Sequence, residues 1–460
     1  MPLYLMMIPG LAYLIINNYI PMAGLVIAFK QVNFRLGILA SPWVGLSNFE
    51  YLFTSDEAFT ITRNTILYNA VFIFLGTAMA VAVAILLNEL RGRFSKKFYQ
   101  TVILVPYLIS MVVVSYLVNA LLATETGFIN QSILGALGAE PISWYSEPVY
   151  WPFILVIVNL WKNFGYQSII FYATVVGLDM GLYEAAAIDG ATRWQRIVHV
   201  TLPGLRSTII TLTLMSVGRI FYSDFGLFYQ VPMNSGPLFD VTNTIDTYVY
   251  RGLMQSNNIG MSSAAGFYQS VVGCIVVLLA NFTVRKMVEK SHKFQIIAHI
   301  IMIVLCIFCL FPFLLLIVSS FTDEQVLIRE GYSIIPRAFS LDAYKYIFSN
   351  AATIFRAYGT TIIVTVIGTL ANIVLTTLFA YPLSRRDLPH RNVWSFIVFF
   401  TMLFNGGLVP SYIMWTQYFH IRNTYAALIV PSLMMGAFYV IMMRTNMSQN
   451  IPEEVLEAAR

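Results

Sequence analysis

ILYNAVFIFLGTAMAVAVAILLNELRGRFSKKFYQTVILVPYLISMVVVSYLVNALL, residues 66–122, decides the fold. Its two apolar runs, 66–88 and 100–122, are each long enough to cross the hydrocarbon of a bilayer, which takes about 20 residues of helix. Between them ELRGRFSKK carries Arg91, Arg93, Lys96 and Lys97, the excess of positive charge expected of a short cytoplasmic loop. The same alternation runs through the whole chain and predicts ten spans, near 5–29, 66–88, 100–122, 152–177, 208–230, 265–284, 296–320, 358–382, 393–417 and 424–443. Pro106 in the third span, and Gly406, Gly407 and Pro410 in the ninth, are expected inside intact spans, because neighbouring helices can satisfy the freed backbone groups.

Composition agrees. The chain is 58% hydrophobic and 11% charged, against roughly 25% charged in soluble domains, so its natural solvent is lipid. Cys306 and Cys309 form a C-x-x-C, but both sit in an apolar run, as does Cys274, and they read as small apolar residues of membrane helices. The five histidines form no ligand cluster, and no metal site is expected. The first apolar run is long enough to span, so it does not read as a cleavable leader. Further basic residues follow the even-numbered spans: Arg193, Arg196 and Arg206; Arg285, Lys286, Lys290 and Lys293; Arg385, Arg386 and Arg391. The segment between spans 3 and 4 holds only acids, Glu125, Glu140 and Glu147. Both termini are therefore expected inside, and loops this short exclude a nucleic-acid partner.

The chain also echoes itself. NFEYLF (48–53) returns as AYKYIF (343–348), RNTI (63–66) as GTTI (359–362) and YEAAA (183–187) as LEAAR (456–460), in the same order. Six spans precede the second unit, so it enters in the same orientation and the repeat is parallel. The expected division is 1–290 and 291–460.

One loop carries chemistry. EAAAIDGATRWQRIVHVTLP, residues 184–203, predicts a short helix over Glu184 to Ile188, a tight turn at Asp189-Gly190 and a second short helix from Ala191 to Val200. Pro203 is expected to force a corner before the fifth span. Ala185 and Ala186 leave a surface that another protein can approach closely, with Glu184, Asp189, Arg193 and Arg196 to hold it. The plain alternative is a turn that only joins two spans.

Glu184-Ala185-Ala186, Gly190 and Val200-Thr201-Leu202-Pro203 together resemble the EAA loop of ABC importer permeases, with Val200 where isoleucine is usual. The resemblance extends over most of the chain. Residues 2–30 and 225–252 are similar to one permease of the carbohydrate-uptake group, and 319–348 and 404–432 to its partner permease, in the subgroup for oligosaccharides. It implies an all-α polytopic protein of the type I ABC importer permease fold in a bacterial cytoplasmic membrane. It also implies that the loop is a coupling helix seated on an ATP-hydrolysing subunit, with an extracytoplasmic sugar-binding protein on the other side. The two permeases are usually separate chains, so a fusion departs from the pattern. Glu457, Ala458 and Ala459 match Glu184, Ala185 and Ala186, but no Asp-Gly-Ala turn follows them. A second permease cut inside its loop is the expectation, with the isolated chain defective in coupling.

No lysine follows a glycine, so no phosphate-cradling P-loop is present, and the chain is expected to bind no cofactor and catalyse nothing itself. ATP and its magnesium belong on the partner subunit. Sugars are held by aromatic faces and by amide or carboxylate hydrogen bonds. The residues that fit are Trp161, Asn163, Tyr166 and Gln167 in the fourth span and Tyr222, Ser223 and Asp224 in the fifth. Asp224 faces a cavity or, nearer the interface, orders the loop after it, and Arg219 is too far round the helix to pair with it ideally. Gly76, Ala80 and Ala84 read as a close-packing stripe. An ion- or proton-coupled transporter would want paired acids or histidines within several spans, and an intramembrane enzyme a catalytic cluster; neither is found.

Overall fold

In the computed structural model the described residues are 2–33, 35–90, 92–256, 258–284, 311–333, 335, 338–349, 351–385 and 387–450. Among them no strand forms, only two isolated bridges, Lys30 to Trp43 and Thr322 to Phe339. Five helices are long and apolar enough to cross a membrane, and eight if each bent pair counts once. We number the principal helices α1 Leu3–Phe29, α2 Glu57–Glu89, α3 Phe94–Leu108, α4 Met111–Leu122, α5 Pro148–Val176, α6 Met180–Ile188 and α7 Arg193–Val217. They continue as α8 Ile259–Val284, α9 Phe311–Ser320, α10 Ala351–Ser384, α11 Arg391–Leu403, α12 Leu408–Tyr418, α13 Tyr425–Leu433 and α14 Ala437–Ser448. Most of the seventh predicted span lies outside the described residues, as do Cys306, Cys309 and the second loop's Glu457, Ala458 and Ala459.

Three predicted spans are not single rods. α3 and α4 meet at 96°, α11 and α12 at 103°, and α13 and α14 at 53°. Pro106 does lie inside α3 and Pro410 inside α12, but Gly406 and Gly407 fall in a break, and the third span breaks just after α3. Ile109 and Ser110 turn extended, and Ser110 Oγ accepts the Val113 N–H to start α4 afresh. At the second break Gly407 has φ +73°, which an L side chain rarely adopts, and its N–H is taken by Asn405 Oδ1 at 2.7 Å. The fifth span is also displaced: its helix ends at Val217, not near 230.

Pro203 forces no corner. Helix α7 passes straight through it, because the preceding turn, Ile197–Thr201, opens to a π-helix in which Leu202 N–H reaches the Ile197 carbonyl. That wider turn makes room where the proline ring would strike the carbonyl four residues back. The same device, a π turn at Ile15–Tyr19 before Pro21, keeps α1 continuous.

The sequence echoes fall on elements built alike. NFEYLF lies in the 8-residue helix Ser47–Thr54 and AYKYIF in the 8-residue Asp342–Ser349. Each precedes a long helix, of 33 residues for α2 and 34 for α10, and then a sharply broken pair.

Two compact units are interleaved along the chain: residues 1–58, 248–277 and 350–460 form one, and 59–247 with 278–349 the other. In the first, Gly10 is so close to Phe379 that a Cβ would lie 2.9 Å from its ring, and Met7, Leu14, Phe379 and Val398 are buried together. The last carbonyls of α13 find no helical partner at the bend. Tyr13 Oη donates to that of Val430 at 2.9 Å, Asn17 to that of Pro431 at 3.3 Å, and Asn372 to that of Leu433 at 3.1 Å. In the second, Trp151, Leu155, Phe164, Leu227 and Phe228 anchor the core. Gly165 of α5 meets the Ile103 carbonyl of α3 so closely that no Cβ fits.

Candidate functional site

Two places in the second unit carry the predicted residues. The first is the loop at α6. Asp179 Oδ1 accepts the Gly181 N–H at 2.8 Å and starts the helix. Its end is a Schellman turn: Gly190, at φ +76°, sends its N–H to the Ala187 carbonyl, and Ala191 sends its own to that of Ala186. The spacing from Glu184-Ala185-Ala186 to Gly190 is therefore a helix with its stop. Thr192 and Gln195 then form a capping box, and α7 begins. Tyr183 Oη and Thr201 Oγ1, 2.8 Å apart, tie the loop helix to the base of α7. No residue of α6 is buried. Glu184, Ala185 and Asp189 are exposed, as are the apolar Met180, Leu182 and Ile188, the last at 86%. Leu202 and Pro203 lie in the first turn beyond the π-helical segment. The helix is thus held at both ends, while Leu182, Glu184, Ala185 and Ile188 stay exposed and Tyr183 and Ala186 are half-buried.

The second place is a cavity of about 520 Å³. Asn159, Asn163 and Gln167 line it from α5 at i, i+4 and i+8, one stripe of a helix. Asn69, Gly76 and Thr77 face it from α2, and Ser216, Arg219, Tyr222, Ser223 and Asp224 from the end of α7 and the segment after it. So five of the seven predicted sugar-contacting residues meet here. The other two lie elsewhere: Trp161 is buried beside Phe313, and Tyr166 stacks on Tyr107 with centroids 4.4 Å apart.

Polar side chains hold the cavity's floor. Asn69 donates to the carbonyls of Ile220 and Tyr222 at 2.8 and 3.1 Å, holding the segment that follows α7. Ser223 gives both its N–H and its hydroxyl to Asp246 Oδ2, at 2.7 and 2.8 Å. Asp224 Oδ1 accepts the Leu227 N–H at 3.1 Å, so it does order the following turn, yet it also lines the cavity. Gly76 divides from its stripe: it faces the cavity, 3.3 Å from Gln167 Oε1 by its would-be Cβ, while Ala80 and Ala84 are buried against Phe171 and Leu205.

Lys162 was not singled out by sequence, and it organises the break beside this cavity. Its ammonium donates to the carbonyls of Pro106, Tyr107 and Ile109 at 3.4, 3.2 and 2.6 Å, the end of α3 where helical partners run out. A cation at a helix C-terminus is also favoured by the helix dipole. The visible signal was a lysine in mid-span, which needs a partner inside the membrane.

A model of the family described as binding-protein-dependent transport system inner membrane component matches residues 72–319, more than half of the chain. The chain belongs to this family. The permease is 35% identical over 289 residues to the polygalacturonan/rhamnogalacturonan transport system permease protein YteP of Bacillus subtilis (strain 168), covering 63% of this chain and 89% of that protein. It is 37% identical over 171 residues to the polygalacturonan/rhamnogalacturonan transport system permease protein YtcP of the same organism, covering 37% of this chain and 58% of that one. A crystal structure of a bacterial alginate ABC transporter in complex with alginate pentasaccharide-bound periplasmic protein aligns at TM-score 0.56 and 30% identity, over 63% of this chain and 96% of the other. The fold is thus helical and of the ABC importer permease kind, and family members are inner membrane components.

Proposed function

We propose that this permease carries oligosaccharides across the cytoplasmic membrane, driven by ATP hydrolysis on a separate subunit that docks at α6 and its turn. The observation that carries the reading is the α6 helix: fixed by Asp179, Gly190 and Tyr183, yet without one buried residue. Glu184, Ala185, Ala186, Asp189 and Gly190 form the contact, while Leu202 and Pro203 root it in α7. ATP and magnesium are bound by that subunit and not by this chain. The positive charge of the short loops supports a cytoplasmic position for α6 and the N-terminus. On the opposite side a sugar-binding protein delivers the substrate, as the alginate complex's periplasmic partner suggests. The polar cavity is the path.

Residues 1–290 serve as one permease unit and 291–460 belong to a second. Support comes from the ordered echoes, from the like-built helices that carry them, and from YteP and YtcP, two permeases of one system that match different lengths of this chain.

A cysteine at Ala185, paired with cysteines along the cleft of the ATPase subunit, tests the docking site. Crosslinks that form only in assembled membranes are expected, together with co-purification of the ATPase. If no ATPase co-purifies with the chain, the reading fails.

A further inference from the structure

The cavity is lined by one cation, Arg219, and one acid, Asp224, among the described residues. The two are not equivalent. Asp224 is already engaged, since its Oδ1 accepts the Leu227 N–H. The Arg219 guanidinium has neither an ion pair nor a side-chain hydrogen bond among the described residues, and it is exposed to the cavity. From α5, Asn159, Asn163 and Gln167 line the same cavity with three carboxamides, none hydrogen-bonded within the described residues.

Neutral sugar rings offer hydroxyls, which carboxamides recognise as both donors and acceptors. They give nothing that requires a fixed positive charge. A charge set within a membrane protein is costly and faces a cavity or a partner. The guanidinium fork matches a carboxylate with two parallel hydrogen bonds, in a way an ammonium or an amide does not. Resting on the reading of the cavity as the substrate path, we propose that Arg219 receives the carboxylate of an acidic sugar ring while the α5 amide stripe takes its hydroxyls. The cavity then selects uronate-containing oligosaccharides by charge, independently of the binding protein that delivers them.

Proteoliposomes holding the chain assembled with its ATPase and binding protein test this with two probes, trigalacturonate and its fully methyl-esterified form. The ester keeps the rings and removes the charge. Wild type is expected to favour the acid. Arg219→Gln should lower the ratio of acid to ester uptake about tenfold or more, with Arg219→Lys between, as expected when a charge-assisted bidentate contact is lost. A ratio that Arg219→Gln leaves unmoved, or a wild type that favours the ester or carries neither probe, overturns the proposal. So does equal loss in Arg219→Gln and Asp224→Asn with recovery in the double variant, because Arg219 would then only balance Asp224. Failure of the docking reading is seen separately, as an assembly in which the binding protein does not stimulate ATP hydrolysis.

Discussion

The α6 loop and the break between α3 and α4 solve the same problem, a helix that must stop, by opposite means. At α6 the stop is made by the chain's own backbone: Gly190 and Ala191 bond to carbonyls three and five residues back. At the α3 end the carbonyls of Pro106, Tyr107 and Ile109 are met by Lys162, more than fifty residues away in another helix. The difference follows from solvent. A loop in water can leave polar groups to water, whereas a break among apolar helices must bring its own donors. One stop leaves a free outer face, and the other is locked into the core.

The heaviest blow to the buried stop is expected from Gly165→Leu, since even a Cβ collides with the Ile103 carbonyl and α3 must move away from α5. Overpacking of that kind costs about 1–3 kcal/mol or more, and folded, monodisperse protein in detergent should fall sharply. Next comes Lys162→Met, of similar length but without donors. It leaves three carbonyls unsatisfied, and hydrogen bonds to a charged group are each worth about 1.5–3 kcal/mol. Thermal unfolding followed by size-exclusion yield should show a clear loss, with partial recovery in Lys162→Arg. An unchanged melting point would mean that the break does not depend on the lysine.

The exposed stop should behave in the other way. Gly190→Ala meets no atom within 4 Å, so its penalty is only the left-handed backbone, about 1–2 kcal/mol and confined to the loop. Membrane insertion and melting should stay near wild type while substrate-stimulated ATP hydrolysis drops several-fold. Glu184→Ala should do the same. Equal damage to insertion would erase the contrast between the two stops.

The smallest effect is expected at Asp342, outside the spans. The Lys345 ammonium, 2.7 Å away, and the Ser340 hydroxyl hold its carboxyl below the usual carboxylate range. A lowered pKa contributes stability above the unfolded value of about 3.9 that is lost as pH falls through the folded one. The pair is solvent-exposed, so Asp342→Asn should leave both melting and uptake unchanged at neutral pH. A measurable shift would show that this pair does more than decorate the surface.

What could be read in the sequence divides along the same line. The spans, the α6 turn and the repeat depend on apolar runs, on Gly190 and on residues a few positions apart, and the sequence displays these directly. The bends at Ile109 and Gly407, the end of α7 at Val217 and the course of the chain through Pro203 were not visible. The Gly407 bend rests on a left-handed backbone and the nearby Asn405 side chain, and the others on a partner far along the chain or on a π turn that hydropathy does not register. The cavity was half legible. Asn163, Gln167 and Asp224 stood out as polar residues in apolar runs, but Asn159 needed the i, i+4, i+8 stripe, and Asn69 and Arg219 needed the fold. Trp161 and Tyr166 looked like sugar platforms because aromatic residues serve packing and binding equally well.

The interleaving of the two units has a consequence for biosynthesis. Tyr13 and Asn17 bond to carbonyls of Val430 and Pro431, more than four hundred residues downstream. At the usual ~5–20 residues per second, helix α1 leaves the ribosome roughly 20–80 s before its partners exist. Tyr13 and Asn17 therefore meet their final partners only after most of the unit's sequence has been made, long after α1 itself.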